Sequence, residues 1–375
     1  MKVVYLTHSF KPYIGGVQYV VEQVSREIAK KGYEVEVLTL APPFSSLPKV
    51  EEMDGYTLKR FPGLNPSNAY YVPTPSFVKA LLELQADVVH AHVVHSLVPL
   101  VSYMVKKFKP QWERLIITPH FHDMGFSWHT DIAWLFYRPL LGKLFRSADI
   151  IHSISPYEAS LIKRRFNIDP VVIPHGISED VLSYKWKPEG FTIAYSGKLL
   201  RYKRVDLLLE SMSLLNKRVP EAKTVIIGGG PESSRLERMA NELKVNAKFI
   251  PPLSRKEYLK CLASSSVLCY LSESEAFCIT ALEALAIGLP TVVVEPWGNT
   301  FRQYSRAIIL PSCPTPADVC KALVSLKNRT FSSSDEVSTW SEVANDLEKI
   351  YKSLGCTRTG NVNVLQKNVY KNHLI

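Results

Sequence analysis

The feature that most constrains the fold of this chain is a regular alternation between short β-branched runs and longer amphipathic stretches. Near the start, KVVYLTH predicts a strand, Gly15 and Gly16 interrupt it, residues 17–31 have helical periodicity, and EVEVLTL after Gly32 predicts another strand. ADVVHAH, RLIITPH and ADIIHSIS continue the series. Strands that alternate with helices predict an α/β protein built from βαβ units around a parallel sheet.

A second series of the same kind begins after the polar stretch SYKWKPEG. Its predicted strands are FTIAYSG, TVIIGGG, AKFIPPL, SVLCYLS and PTVVVEP. Because 375 residues exceed what one hydrophobic core usually supports, we expect two domains, residues 1–185 and 186–335, with a hinge near Trp186. Residues 336–375 then contain one amphipathic helix, STWSEVANDLEKIYKSL, and a basic tail.

Ligands bind at the carboxyl ends of the strands in an open parallel sheet. His92, His120 and Ser155 stand at such ends in the first series, and His122 and Asp123 follow closely. A histidine in this place is structural more often than catalytic. A zinc site on His120 and His122 lacks a third ligand at short spacing, so we predict no metal site.

The most informative stretch is ESEAFCITALEALAIGLP, residues 273–290, in which Glu275 and Glu283 stand in an apolar setting. It predicts a loop with Glu275, then a helix that contains Glu283 and ends at Gly288. The N-terminus of that helix is a candidate phosphate site. Either glutamate alone could be an ordinary helical acid. The small apolar neighbours of Glu283 argue against exposure, and because a buried carboxylate needs partners, we expect a ligand to supply them.

A second candidate site is SGKLLRYKRVD, which follows the predicted strand FTIAYS. The strand-to-helix loop contains Gly197, Lys198, Arg201, Lys203 and Arg204. Four cations at a ligand edge suit a diphosphate, although a solvated basic loop would have the same composition. GGG at residues 228–230 predicts a tight turn that a ligand or another backbone segment approaches closely. No G-x-G-x-x-G spacing supports a nicotinamide cofactor.

The net charge of +10 favours anionic partners, either phosphorylated small molecules or an anionic membrane surface. We predict no nucleic-acid partner, since no signature of a nucleic-acid reader is found. The run GFSWHTDIAWLFYRPLLGKLFR, residues 125–146, suits either an interfacial membrane helix or a packed core helix. No segment suits a spanning helix or a signal peptide, and the six cysteines form no C-x-x-C pair. We expect a cytoplasmic protein, with peripheral attachment at the cytoplasmic face of the membrane as an open alternative.

These motifs together resemble a retaining glycosyltransferase of family 4 over nearly the whole chain. The resemblance rests on GGVQYVVEQVSREIAKKGYEVEVLT, VIPHGIS, SGKLLRYKRVDLLLES, IIGGGPE, STWSEVANDLEKIY and the E-x7-E segment ESEAFCITALEALAIGLP. It implies the GT-B fold, in which two Rossmann-like doubly wound parallel-sheet domains face a central cleft. The first domain would bind the acceptor and the second the nucleotide sugar, and the C-terminal helix would cross back to the first domain.

The resemblance also implies roles for residues of the second domain. Glu283 would bind the ribose, Lys203 and Lys198 would bind the diphosphate, and Glu275 would position the donor sugar. Gly197 would lie in the phosphate-binding loop. The backbone around Phe277, Cys278 and Ile279 would contact phosphate and sugar.

In the first domain, Gly16 would lie near the diphosphate or the acceptor, and His120 would touch the sugar near the reacting carbon. The candidate catalytic residues are therefore Glu275, Lys203 and His120. The chain departs from the family pattern at four positions, with cysteine for glycine, lysine for arginine, arginine for glycine and histidine for asparagine, at Cys278, Lys198, Arg204 and His175.

The function that the resemblance implies is transfer, with retention, of a hexose-type sugar from a UDP- or GDP-linked donor to a hydroxyl acceptor. The acceptor would be a glycan or a lipid-linked molecule. The nucleotide sugar is a co-substrate, and neither a cofactor nor a metal is expected. Two alternatives stay open, a catalytically silent sugar-nucleotide-binding partner subunit and a GT-B sugar-nucleotide epimerase.

Overall fold

The structure is a computed structural model that describes residues 1–13, 15–64, 72–108, 110–112, 114–122, 128–327, 329, 331 and 336–356. For residues 128–135 and 355–356 it describes the backbone alone. Asp123, the first three residues of the aromatic and basic run and the basic tail therefore lie outside the described residues. No helix in the described ranges is long and apolar enough to cross a membrane.

The chain divides into two compact units. The first is Met1–His175 together with the segment that begins at Trp340, and the second is Gly176–Thr339. The predicted boundary at residue 185 lies inside the second unit, where Val181 is buried. The two ends of the second unit adjoin, since Ile177 pairs with Thr339 in an isolated parallel bridge.

The first unit is built on a mainly parallel sheet. Its strands are β1 (Lys2–Thr7), β2 (Glu34–Ala41), β3 (Val50–Glu52), β4 (Thr57–Leu64), β5 (Val72–Pro73), β6 (Val88–His92), β7 (Arg114–Thr118), β8 (Ile150–Ser153) and β9 (Val171–Val172). Their order is β3-β4-β2-β1-β6-β7-β8-β9, and β5 pairs with β4. Only the pairs that β3 and β5 make with β4 are antiparallel among the described strands. All of β6 and nearly all of β1 and β7 are buried, as expected for parallel strands covered on both faces.

Five helices of the first unit connect these strands within the described ranges. They are α1 (Gly16–Lys30), α2 (Pro75–Glu83), α3 (Val98–Lys106), α4 (Trp128–Ser147) and α5 (Pro156–Phe166). α1 buries Val20, Val24 and Ile28, an apolar stripe at intervals of four residues. Ser155 caps α5, since its hydroxyl accepts the backbone N–H of Glu158 at 3.0 Å.

The second unit has its own parallel sheet. Its strands are β10 (Thr192–Ser196), β11 (Lys223–Ile227), β12 (Ala247–Ile250), β13 (Val267–Cys269), β14 (Thr291–Val294) and β15 (Ala307–Leu310). Their order is β12-β11-β10-β13-β14-β15. The helices are α6 (Val205–Asn216), α7 (Ser233–Glu242), α8 (Arg255–Ser264), α9 (Ile279–Ile287) and α10 (Pro316–Leu326). Capping boxes begin α8 and α10, and α9 ends at left-handed Gly288 as the sequence predicts.

The last described helix, α11 (Trp340–Cys356), belongs to the first unit. It packs against α1, where the ring of Trp340 meets the ring of Tyr19 edge to face at 6.1 Å. Tyr351 is fully buried, and its hydroxyl lies 2.9 Å from that of Tyr5 on β1. The first unit is therefore assembled from the two ends of the described chain.

Candidate functional site

The two motifs that the sequence singles out in the second unit lie side by side. SGKLLRYKRVD follows β10 and ESEAFC follows β13, and these strands are neighbours in the sheet. Their loops are joined directly, because the backbone N–H of Glu273 donates to Tyr202 O at 2.8 Å. Since both strands are parallel, both loops lie at the same edge of the sheet, where ligands bind in this class of fold.

Lys203 and Glu275 form an ion pair at this edge. The ammonium of Lys203 donates to Oε1 of Glu275, and the two side chains are only 9% and 13% exposed. Nζ also donates to the hydroxyl of Tyr270 at 3.2 Å and lies 4.8 Å from the ring centre of Tyr202. Lys203 and Glu275, which the sequence indicates through two separate motifs, are 72 positions apart in the chain and form one ion pair.

The ion pair with Glu275 keeps the ammonium of Lys203 positively charged although this side chain is buried. Burial lowers the pKa of Lys203, but the charge of Glu275 and its hydrogen bond outweigh this effect and raise the pKa to about 12. The ammonium is therefore protonated at neutral pH. An ammonium with three donors that is held rigidly at the strand ends can stabilise an anionic leaving group.

Glu283 is buried, as its apolar neighbours predict, with 3% of its side chain exposed. The expectation that a ligand must supply its partners is wrong, because the protein supplies them. Oε1 accepts from Arg255 at 2.6 Å and Oε2 accepts from the hydroxyl of Tyr258 at 2.7 Å. Burial raises the pKa of Glu283, although the charge of Arg255 acts in the opposite direction.

Arg255 is a residue of this site that sequence reasoning missed. It stands at the first position of α8, and besides Glu283 it contacts Asp180, with Nε to Oδ2 at 2.9 Å. Its guanidinium therefore bridges a buried and a partly exposed carboxylate. The one signal in the sequence is that Arg255 directly follows the helix-capping serine in LSRKEYL. That pattern does not indicate its partners Glu283 and Asp180, which are distant in the chain.

The glycine turn GGG allows backbone to approach backbone, one of the two explanations that the sequence left open. A Cβ on Gly228, which has φ +137°, would lie 2.0 Å from Gly197 O, and one on Gly230 would lie 2.4 Å from Leu199 O. Leu199 N donates to Gly229 O at 3.0 Å. The turn thus fixes the loop that carries Lys198.

We expect Gly228→Ala to lower the free energy of unfolding by about 2 to 5 kcal/mol, since it adds a clash and places alanine at positive φ. Gly229→Ala is the matched control, because a Cβ there meets no atom within 4 Å. Urea denaturation of both variants measures the difference. Equal stability of the two variants would contradict the role assigned to the turn.

The remaining cations of the loop differ in their surroundings. Lys198 and Arg201 are exposed and form no ion pair with any residue of the described ranges. Arg204 adopts a left-handed conformation, φ 53°, and contacts Glu273 at 3.1 Å. Glycine adopts this conformation at the least cost, which explains why the family pattern has glycine where this chain has Arg204; nothing in the structure explains the arginine.

The start of α9 holds the other predicted contacts of the donor. Cys278 is the N-cap residue, 3% exposed, and burial raises the pKa of its thiol. Phe277 packs its ring 5.5 Å from that of Phe301, and Ile279 is the first residue of the helix. Sulfur is a weak acceptor, so a thiol at the N-cap satisfies the first N–H groups of α9 less well than a hydroxyl or carboxylate would.

The first unit carries its own cluster, a chain of buried hydrogen bonds at the ends of β6, β7 and β8. It runs from Tyr5 through Tyr351, His90, Thr118 and His152 to Ile173 O in steps of 2.7 to 2.9 Å. Ile173 O can only accept, so Nε2 of His152 carries a proton. Burial lowers the pKa of both His90 and His152, so both rings are neutral, and each group then donates to the next from Tyr5 to Ile173.

His120, the predicted contact of the sugar, lies next to this chain. It is buried with φ 49°, and its Nε2 lies 3.2 Å from Nδ1 of His92. Burial lowers the pKa of His120 to about 3, so the ring is neutral at physiological pH. His122, in contrast, is half-buried. The buried carboxylate of Glu158 accepts the N–H of Phe121 and so fixes the residue after His120.

Two further predictions concern Gly16 and the absence of a metal site. Gly16 is the first residue of α1, and a Cβ there would meet no atom within 4 Å, so no packing contact explains the glycine. In the described ranges, no group of three or more histidine, cysteine or acidic residues could hold a metal ion. Five cysteines of those ranges are free thiols.

Two family models match the chain. The model described as Glycosyltransferase Family 4 matches residues 14–181, and the one described as Glycosyl transferases group 1 matches residues 178–306. An uncharacterized glycosyltransferase of Haemophilus influenzae is 26% identical over 74% of this chain and 76% of its own length. A GDP-mannose-dependent monoacylated alpha-(1-6)-phosphatidylinositol monomannoside mannosyltransferase of Corynebacterium glutamicum is 25% identical over 78% of this chain and 79% of its own.

Among solved structures, a sucrose-phosphate synthase from Thermosynechococcus elongatus has the same fold. The TM-score is 0.75, the sequences are 17% identical, and the match covers 94% of this chain and 99% of that one. This match supports the predicted α/β fold with parallel sheets in two domains.

Proposed function

The chain belongs to glycosyltransferase family 4 and has the GT-B fold, and from that premise we propose that it transfers a hexose-type sugar with retention, from a nucleoside-diphosphate sugar to a hydroxyl acceptor. The observation that carries the proposal is the buried pair of Lys203 and Glu275 at the adjacent ends of β10 and β13. Burying both charges carries a desolvation cost, which is offset by their attraction and by the hydrogen bonds of Lys203 to Glu275 and Tyr270.

In the proposed mechanism, the donor binds to the second unit. Lys203 and Lys198 neutralise the charge that develops on the leaving diphosphate, and the N–H groups at the start of α9, around Phe277, Cys278 and Ile279, donate to it. Glu275 accepts from hydroxyls of the sugar and holds the ammonium of Lys203 in place. The leaving phosphate assists deprotonation of the acceptor, so attack occurs on the face that it leaves.

The remaining assignments are proposals of the same kind. Glu283 binds the ribose; its carboxylate has about four lone-pair sites, Arg255 and Tyr258 use two of them, and the others can accept from ribose hydroxyls. His120 donates to or accepts from the sugar as a neutral imidazole, and Gly16 leaves room for diphosphate or acceptor. No metal or cofactor takes part. The proposed nucleotide of the donor is UDP or GDP. A relative named for GDP-mannose supports GDP.

The acceptor is proposed to be a glycan or a lipid-linked molecule, and the protein to work at the cytoplasmic face of a membrane. The Corynebacterium glutamicum relative is named for a lipid acceptor, and the net charge of +10 would attract the chain to anionic head groups.

We expect one of UDP, GDP and ADP to raise the melting temperature of the protein. At about 100 times its Kd, a ligand adds about 2.7 kcal/mol to the free energy of unfolding, which amounts to a shift of about two degrees or more in a chain of this size. Differential scanning fluorimetry measures the shift. Glu283→Gln keeps a hydrogen-bonding group for Arg255 and Tyr258 and should reduce the shift. If no nucleotide shifts the melting temperature of the wild type, the donor assignment fails.

A further inference from the structure

A cavity of about 370 Å³ lies on the first unit, between α4 and α5. Its lining residues are Phe121, Arg138, Pro139, Gly142, Arg146, Arg165 and Phe166. None of these belongs to the donor site proposed above, which lies on the second unit.

Three arginines line the cavity, and among the side chains that the structure describes no acidic one is a lining residue. Arg138 and Arg146 come from α4 and Arg165 from the last turn of α5. Each guanidinium has five N–H donors in a fixed plane. One hydrogen-bonded contact does not use all five donors. Three such groups around one cavity suit an anion with several acceptor oxygens, and a phosphate group offers them with a charge of about −1.5 to −2.

Gly142 lets the guanidinium of Arg146 lie close against α4 in the cavity wall. A Cβ at this position would lie 3.2 Å from an Nη of Arg146 and 3.5 Å from Cδ1 of Phe166. Glycine inside a helix costs about 1 kcal/mol relative to alanine. α4 also contains Pro139, a second residue unfavourable for a helix, in the cavity wall. Two residues of low helix propensity, Pro139 and Gly142, therefore stand in the cavity wall, and the second allows the close approach of Arg146.

The cavity has an apolar wall. Phe121 is fully buried, and its ring lies 5.8 Å from the ring of Phe166. A wall of low polarity strengthens the attraction between the guanidinium groups and an anion. On the exposed side of α4, Phe136 and Leu140 are 77% and 42% exposed. These two side chains could contact an apolar part of the same ligand, such as the acyl region of a lipid.

We infer that this cavity binds a phosphate group through Arg138, Arg146 and Arg165. The phosphate can come from the head group of an anionic lipid or from a soluble phosphorylated molecule. Both sources present the same tetrahedral anion to the three guanidinium groups. The lipid would in addition place its acyl region against Phe136 and Leu140.

The test compares full-length Arg146→Gln and Arg165→Gln with Arg164→Gln. Arg164 lies next to Arg165 on α5 but does not line the cavity, so its substitution removes the same charge nearby. Thermal stabilisation by inorganic phosphate is measured against chloride at equal ionic strength, and binding to phosphatidylcholine vesicles is measured with and without added phosphatidylglycerol. Any phosphate bound at the donor loops is common to all the proteins.

We expect each cavity variant to bind about ten-fold or more weakly than the wild type, since a hydrogen bond to a charged group contributes about 1.5 to 3 kcal/mol. Arg164→Gln should bind like the wild type. Loss with inorganic phosphate supports the cavity as a general phosphate site, and loss with phosphatidylglycerol vesicles alone assigns a lipid head group. Equal binding by all variants, or equal weakening in Arg164→Gln, overturns the inference.

Gly142→Leu provides a second variant that leaves every charge in place. The added side chain fills the cavity and should weaken the same binding about ten-fold or more, by excluding the anion from the guanidinium groups. Far-UV circular dichroism checks that the variant is folded. A folded Gly142→Leu protein that binds phosphate and vesicles like the wild type would also overturn the inference.

Discussion

Glu275→Gln is expected to lower the rate of sugar transfer by about 10²- to 10³-fold, the effect of removing one preorganised electrostatic contact from an active site. Glutamine keeps the size of the side chain and can still accept a hydrogen bond from Lys203. The variant loses the negative charge that orients the ammonium and accepts from the sugar hydroxyls. The measurement is kcat for release of nucleoside diphosphate in the presence of acceptor, at saturating donor.

Glu273→Gln is the matched control for this prediction. Glu273 lies two residues away in the same loop, is 43% exposed and pairs with Arg204, so its substitution removes the same charge from the same edge of the sheet. We expect it to retain a rate near that of the wild type, because exposed ion pairs contribute at most about 1 kcal/mol. If both variants are equally active, the buried pair is not part of the catalytic machinery. A wild type that binds nucleotide but never turns over would favour the silent partner subunit.

The first unit is expected to unfold in mild acid. Five buried histidines have pKa values lowered by burial; they are His90, His92, His120, His152 and His175. In the unfolded chain each would bind a proton near its ordinary pKa of about 6.5. The folded state binds protons only at lower pH, so stability falls as the pH drops below about 6.5 and continues to fall towards the folded pKa values.

The expected size of the acid effect is large. At about pH 5.5 each of these histidines costs about 1.4 kcal/mol, or about 7 kcal/mol for the five. Glu158 has the opposite effect on stability, because burial raises its pKa to about 7. As the pH falls, the folded state binds this proton before the unfolded state does, which adds about 2 kcal/mol to the free energy of unfolding at about pH 5.5. The net loss of about 5 kcal/mol approaches the whole stability of a typical domain.

Urea denaturation at about pH 7.5 and about pH 5.5 measures the acid effect. His152→Asn should reduce the dependence of the unfolding free energy on pH by about one proton, because that side chain no longer titrates. Since this variant also breaks the bonds to Thr118 and Ile173, its stability at pH 7.5 is the reference for its own acid series. Identical pH dependence in variant and wild type would show that His152 takes up its proton in the folded state.

Much of the fold could be predicted from the chain itself, because strand and helix periods are local properties. KVVYLTH becomes β1, and ITALEALAIG becomes α9 with Gly288 at its end. The amphipathic pattern of STWSEVANDLEKIYKSL gives α11. The boundary between the two units was placed too late, since the polar composition of SYKWKPEG indicates a loop but not the unit against which that loop packs.

The partners of the site residues could not be predicted, because they depend on long-range packing. Glu283 was correctly expected to be buried, yet its partner Arg255 is 28 positions away on another helix. The sequence likewise gave separate reasons for Lys203 and Glu275 without indicating that they form a pair. Individual histidines at strand ends were visible, but their connection through Thr118 and Tyr351 depends on strand order and on a helix from the far end of the described chain.

The bridge between Ile177 and Thr339 bears on how the protein is made. The second unit is an insertion with its ends already tied together, so a ribosome completes all of it before it delivers Tyr351. The first unit, although begun earlier, must wait for that tyrosine to close its chain of buried hydrogen bonds. Folding of the second unit therefore needs only contiguous residues, whereas folding of the first unit requires a segment that is synthesised after the whole of the second unit.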